Sequence, residues 1–206
     1  MLVVGLTGGV ASGKTTVSRL LREEGAYVID ADQIARDLVQ PRTPAWREVV
    51  RVFGNEILGP DDSIDRKKLA AVVFSNPQQR GLLEGMIHPR IREEIDRRVE
   101  EIRKKDPEGV VVVDAALLVE TGGYRRMDRL IVVTATEAQQ KERFGRRTGA
   151  TEQEAQGIIS SQMALEDKLK VADFVLRNEG TLEETRKRVK EIFHELKIIA
   201  REKKTC

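Results

Sequence analysis

Gly8-Gly9-Val10-Ala11-Ser12-Gly13-Lys14-Thr15 matches the glycine-rich loop G-x-x-x-x-G-K-[ST] at every fixed position. Each fixed residue has a physical task. Gly8, Gly9 and Gly13 let the backbone curl, so that the N–H groups of Val10, Ala11 and Ser12 and their neighbours turn inward toward phosphate oxygens. The helix that follows adds its positive N-terminal end. Lys14 reaches the β- and γ-phosphates as a mobile point charge. Thr15 offers a hydroxyl to Mg²⁺, and Thr16 adds a hydrogen bond to a phosphate. The flanks agree with this reading: an apolar run at residues 2–6 precedes the loop, and a helical pattern at 15–24 follows it. The competing reading, a glycine-rich turn that only packs tightly, gives no account of that setting.

Working outward, short apolar runs alternate with charged helical stretches, the pattern of a parallel sheet covered by helices. Residues 26–29 form a second expected strand that ends at Asp30. Four consecutive valines at 110–113 end at Asp114 and predict a strand buried on both faces. Residues 130–133 and 174–176 supply two more. Between the second and third strands the chain is helical, at 34–39, 46–53, 66–74 and 77–105, too long for one crossover. His88-Pro89 is expected to break the last of these, since proline suits only the first turn of a helix. The C-terminal segment carries Leu182, Val189, Ile192, Phe193, Leu196 and Ile199 at helical spacing. Such a face buries equally well in its own core or against a neighbour, so the oligomeric state stays open.

The division expected is a nucleotide-binding core (1–32, 106–145 and 170–206), a helical acceptor-binding insertion (33–105) and a lid region (146–169). The fold class is α/β: a five-stranded parallel sheet of the P-loop kinase type with helices on both faces.

Composition narrows the partners. Charged residues make up 34% of the 206 residues, yet the formal net charge is only +2, which argues against a dedicated nucleic-acid binder. The basic bias near the C-terminus reads as a solvated helix face. No stretch approaches the length of apolar chain that a membrane span needs. The one cysteine, Cys206, permits no disulfide within the chain, which fits a cytoplasmic location.

A switch GTPase would need D-x-x-G after the Mg²⁺-side strand and an N/T-K-x-D guanine reader. Asp106-Pro107-Glu108-Gly109 fits the first string but precedes the valine strand, and the second string is absent. A small-molecule kinase needs an acceptor-side carboxylate, an acceptor pocket and arginines over the transferring phosphoryl. Asp30 and Asp32 follow a strand end, where ligands of open α/β sheets bind. Asp32 can accept the proton of an attacking hydroxyl, or it can cap the helix that follows. Asp114 can hold Mg²⁺ through water, or be a turn residue. Arg143, Arg146 and Arg147 precede a flexible turn at Thr148–Thr151, the shape of a short lid that closes arginines onto a triphosphate.

These residues together resemble the dephospho-CoA kinase family. The resemblance runs from Gly5-Leu6-Thr7-Gly8-Gly9 through Val28-Ile29-Asp30-Ala31-Asp32 and His88-Pro89-Arg90-Ile91-Arg92. It continues in Leu117-Leu118-Val119-Glu120, Gln140 with Arg143 and Arg147, and Gln162-Met163. It ends in Ala172-Asp173-Phe174-Val175 with Asn178 and Gly180. It implies transfer of the γ-phosphoryl of Mg-ATP to the ribose 3′-hydroxyl of dephospho-CoA, a small-molecule substrate. It also implies site roles. Asp32 would be the base, with Lys14 and Arg143 at the transferring phosphoryl. His88, Arg92 and Leu117 would lie on the acceptor side, Arg147 on phosphates or adenine, and Asn178 with Gly180 beside the adenine. Ala116 and Val119 stand where the family often has proline and an aromatic, so a looser loop and a missing aromatic acceptor contact are expected. A nucleoside or nucleotide kinase is the alternative enzyme. A non-catalytic ATP-sensing module is the alternative without chemistry.

Overall fold

The computed structural model describes residues 1–74 and 76–205; Cys206 lies outside the described residues. The chain divides into two compact units, Met1–Ile29 with Val99–Cys206, and Asp30–Arg98.

The first elements are β1 (Leu2–Gly8), α1 (Lys14–Glu23) and β2 (Tyr27–Asp30). Four helices follow: α2 (Ala31–Leu38), α3 (Pro44–Phe53), α4 (Arg66–Phe74) and α5 (Pro77–Lys105). Then come β3 (Val110–Asp114), β4 (Arg129–Thr134), α6 (Glu137–Thr148) and α7 (Glu152–Ser160). The chain closes with α8 (Leu165–Leu169), β5 (Phe174–Arg177) and α9 (Leu182–Thr205). The five strands form one parallel sheet in the order β2-β3-β1-β4-β5.

The order explains the valine run. β3 lies between two strands, and all five of its residues are buried. Its register with β1 sets Asp114 opposite Leu6, and that of β4 with β1 sets Val133 opposite Gly8. Side chains alternate across a strand, so β1 offers Leu2, Val4 and Leu6 to one face. There they pack with Val17, Leu20 and Leu21 of α1 and with Val189, Ile192, Phe193 and Leu196 of α9. Each such side chain, fully buried, contributes about 1.5–3 kcal/mol. A second cluster is built from Leu118, Val119, Leu130 and Val132. Gly5 accommodates it, because a Cβ at that position would stand 2.5 Å from Leu118 Cδ2.

In the second unit, Asp30 caps α2 by accepting from Gln33 N–H at 2.8 Å. Thr43 caps α3, with Pro44 in the first turn, where its missing N–H costs nothing. One expectation fails here. Pro89 lies inside α5, which runs unbroken from Pro77 to Lys105. A proline within a helix removes one ladder bond and crowds the carbonyl four residues back; that residue is Gly85, which has no side chain to add to the crowding. The next carbonyl, Met86 O, receives a donor from the Arg90 guanidinium at 2.5 Å, and the same guanidinium reaches Glu48 at 2.6 Å. The break expected at His88-Pro89 is therefore absent, and His88 sits in mid-helix rather than at a cap.

Candidate active site

β1 delivers the chain to the phosphate loop at Gly8, and α1 leaves it at Lys14. Gly13, at φ 94°, is the left-handed residue before the first turn of α1. Ser12 N–H donates to Gly9 O at 3.1 Å and Thr16 N–H to Gly13 O at 2.9 Å, which closes the curl. Ala11 adopts φ 55°, a region sparsely populated by residues with a Cβ. Left-handed backbone at Ala11 and Gly13 curls the loop into a concavity of the kind that cradles anions, but two N–H groups expected to face phosphate are spent within the protein, Ser12's on Gly9 O and Val10's on Gln162 Oε1.

Lys14 Nζ forms an ion pair with Asp114 Oδ1. The carboxylate is well buried and the lysine half-buried, so the attraction is screened less than at an open surface. Thr15 is exposed at the start of α1. The Thr15 hydroxyl and the Asp114 carboxylate are hard oxygen donors, the set that Mg²⁺ takes alongside substrate phosphates. β3 is locked at this end, where Ala115 N–H donates to Leu6 O at 3.0 Å and Thr7 Oγ1 to Ala116 O at 3.1 Å.

The loop is braced from α6 and from the end of β5. Arg143 donates to Asn178 O at 2.9 Å and, at 3.5 Å, to Ser12 O. Asn178 is buried, and its amide is spent inside the protein. Its Nδ2 donates to Ser12 O at 2.9 Å, and its Oδ1 accepts from Thr185 at 2.8 Å. A Cβ on Gly13 would stand 1.9 Å from that Nδ2. The Asn178 side chain thus supports the loop backbone. At Gly180 a Cβ would meet the Glu184 carboxylate at 2.1 Å, and that carboxylate reaches back to cap α9 through Thr181 N–H at 2.7 Å. Arg147, a turn beyond Arg143, is exposed and stacks over Phe144 at 5.6 Å. Arg146 pairs outward with Glu142 at 2.7 Å.

The acceptor-side candidates divide between the two units. Asp32 lies in the first turn of α2 and is half-buried. The capping role that competed for it belongs to Asp30. His88 and Arg92, four residues apart on α5, share a helix face; His88 is half-buried and Arg92 exposed. In the first unit, Leu117 is exposed on the loop after β3, whereas Leu118 and Val119 are buried in the second cluster. Val119 faces the core.

One pair went unread in the sequence. Lys168 of α8 is 1% exposed, and its Nζ stands 2.6 Å from Glu120 Oε1. Lysines are almost never buried unless paired. Nothing local marks Lys168, because its partner lies far along the chain.

The sequence profile of the dephospho-CoA kinase family matches residues 2–184. A dephospho-CoA kinase of Geobacter metallireducens is 45% identical over 195 residues, 95% of this chain and 96% of that protein. The Symbiobacterium thermophilum dephospho-CoA kinase is 44% identical over 189 residues, 92% of this chain and 79% of that one. Among solved structures, a Thermus thermophilus protein superposes with a TM-score of 0.80 at 32% identity, covering 95% of this chain and 97% of its own. The dephospho-CoA kinase of Campylobacter jejuni superposes with a TM-score of 0.69 at 26% identity, covering 95% and 96%.

Proposed function

Because this chain belongs to the dephospho-CoA kinase family, we propose that its phosphate loop, Lys14, Asp32 and Arg143 divide the work of that family's reaction between them. The protein is an ATP-dependent kinase: it transfers the γ-phosphoryl group of ATP to the ribose 3′-hydroxyl of dephospho-CoA, giving CoA and ADP.

The loop N–H groups and Lys14 grip the β- and γ-phosphates, and Lys14 moves from Asp114 to the phosphates as ATP arrives. Thr15 would hold Mg²⁺ directly and Asp114 would hold it through water. When bound, the ion neutralises charge on the phosphate oxygens. Asp32 orients the 3′-hydroxyl and accepts its proton. The hydroxyl oxygen forms the new bond to the γ-phosphorus as the bond to ADP breaks. Arg143 lies against the loop, where its charge offsets what develops on the transferring group. His88, Arg92 and Leu117 contact the acceptor, Arg147 closes with the lid at 146–169, and the backbone at Asn178 and Gly180 borders the adenine.

The observation that carries this reading is the Lys14–Asp114 pair at the head of α1, a phosphate-binding cation held beside a carboxylate suited to its metal. A cytoplasmic location is supported by a chain whose one cysteine permits no internal disulfide. Among the described residues no helix is long and apolar enough to cross a membrane.

ADP release with Mg-ATP, measured against dephospho-CoA, nucleosides and nucleoside monophosphates, tests the assignment. Turnover selective for dephospho-CoA is expected. Preference for a nucleoside would overturn it, and turnover of none of them would point to an ATP sensor.

A further inference from the structure

Val10 is held by a side-chain amide at each end of its backbone unit. Its N–H donates to Gln162 Oε1 at 2.8 Å, and its carbonyl accepts from Gln140 Nε2 at 2.9 Å. The backbone dictates both amide orientations, since an N–H must face the carbonyl oxygen of a glutamine and a C=O must face its NH₂. Both contacts are partly buried. Gln140 projects from the start of α6, and Gln162 from the stretch that joins α7 to α8. Gly9 makes the approach feasible: a Cβ there would lie 2.6 Å from Gln140 Nε2 and 3.6 Å from Gln162 Oε1.

The residue after Val10 explains why such a grip is needed. Ala11 is in the left-handed region at φ 55°, and a residue with a Cβ stays there only where its surroundings over-determine it. The carbonyl before Ala11 is held by Gln140. Ser12 O, one residue beyond Ala11, is held by Asn178 and Arg143. Ala11 is thus pinned from both sides, in the conformation that keeps the loop curled around one concavity, with the N–H groups of Val10 and Ser12 spent on that curl.

We propose that Gln140 and Gln162 are positioning residues, a two-amide clamp that holds the phosphate loop in its binding conformation before ATP arrives. Pre-organisation spares the nucleotide the cost of ordering the loop. Gln162 gives the clamp a second consequence. It lies two residues beyond the end of α7, so a displacement of that helix would pull on Val10 N–H and couple the segment after α6 to the phosphate grip. The inference rests on the reading that this loop holds the phosphates of ATP.

The test uses the full-length enzyme with Gln140→Met and Gln162→Met, which keep length and packing but lose the amide. Each is expected to raise the KM for ATP about five- to tenfold, the scale of one lost hydrogen bond. The KM for dephospho-CoA should stay at its wild-type value, and the melting temperature should fall by no more than about 2–4 °C. Ala11→Gly, which removes the left-handed penalty, should recover part of the ATP KM in the Gln140→Met background. A purely structural role would instead lower the melting temperature and the active fraction and leave the ATP KM in place; that result overturns the clamp, as do two silent variants. Lys14→Ala is measured alongside. If it binds ATP as the wild type does, the phosphate-loop reading fails and the clamp fails with it. If Lys14→Ala loses ATP while both glutamine variants are silent, the loop reading stands and the clamp alone is wrong.

Discussion

Lys14 and Asp114, 100 residues apart in the chain, form an ion pair at the ends of α1 and β3. In that arrangement a buried carboxylate holds the half-buried lysine that closes the glycine-rich loop.

Asp114→Asn removes half of that pair. The amide still occupies the space but no longer attracts a cation through water. The Mg²⁺ concentration for half-maximal rate is expected to rise about tenfold, the effect typical of removing an outer-shell ligand. A Mg²⁺ titration of the initial rate at saturating ATP measures it. An unchanged midpoint would leave Asp114 as a partner of Lys14 only.

Asp30 and Asp32 should separate cleanly. Asp32→Asn is expected to lower kcat at least about a hundredfold, the scale of general base catalysis. Asp30→Ala loses the cap on α2 and should cost about 1 kcal/mol of stability, with kcat near wild type. Steady-state kinetics and urea unfolding of both variants decide it. A normal kcat in Asp32→Asn would remove that residue from the chemistry.

Lys168→Ala strands the Glu120 carboxylate, and breaking a buried pair from one side costs about 3 kcal/mol or more. Replacing both partners, as Lys168→Met with Glu120→Leu, should recover most of the loss. Denaturant midpoints of the single and double variants check this. Equal midpoints for Lys168→Ala and wild type would mean the pair contributes nothing.

Acid should weaken the second unit through Glu94. Hydrogen bonds from Arg97 and then Arg98, against some desolvation, hold its carboxyl down at about 2. A carboxylate whose pKa is lower folded than unfolded stabilises the fold above its unfolded value of 4.5, and that contribution fades as the pH falls from about 4.5 toward about 2. Both arginines are partly exposed, so solvent screening reduces the contribution to about 1 kcal/mol. In Glu94→Gln the loss of stability between pH 5 and pH 3 should be smaller by about that amount, as read from thermal unfolding across the range.

The parts legible in the sequence are those set by adjacent residues. The motif at 8–15 specifies a loop because glycine alone adopts Gly13's φ of 94° readily. The valines at 110–113 specify a strand buried on both faces, since no polar side chain interrupts them. The helical pattern at residues 66–74 coincides with α4, Arg66–Phe74. Pro89 is not legible in this way: the local cost of a proline predicts a break, yet α5 runs through it from Pro77 to Lys105.

For the glycine-rich loop, then, the sequence by itself determined a curled backbone with a lysine at the head of the next helix, since those are properties of a short segment and its glycines. Tertiary structure alone decided what holds that segment in shape. Gln162 lies 152 residues from Val10, Gln140 lies 130, and Asn178 stands 166 from Ser12. Glutamine and asparagine carry the same amide wherever they occur. Only the folding of α6, the α7–α8 connection and the end of β5 around the loop turns three unremarkable amides into its supports, and buries Lys168 where no local pattern places it.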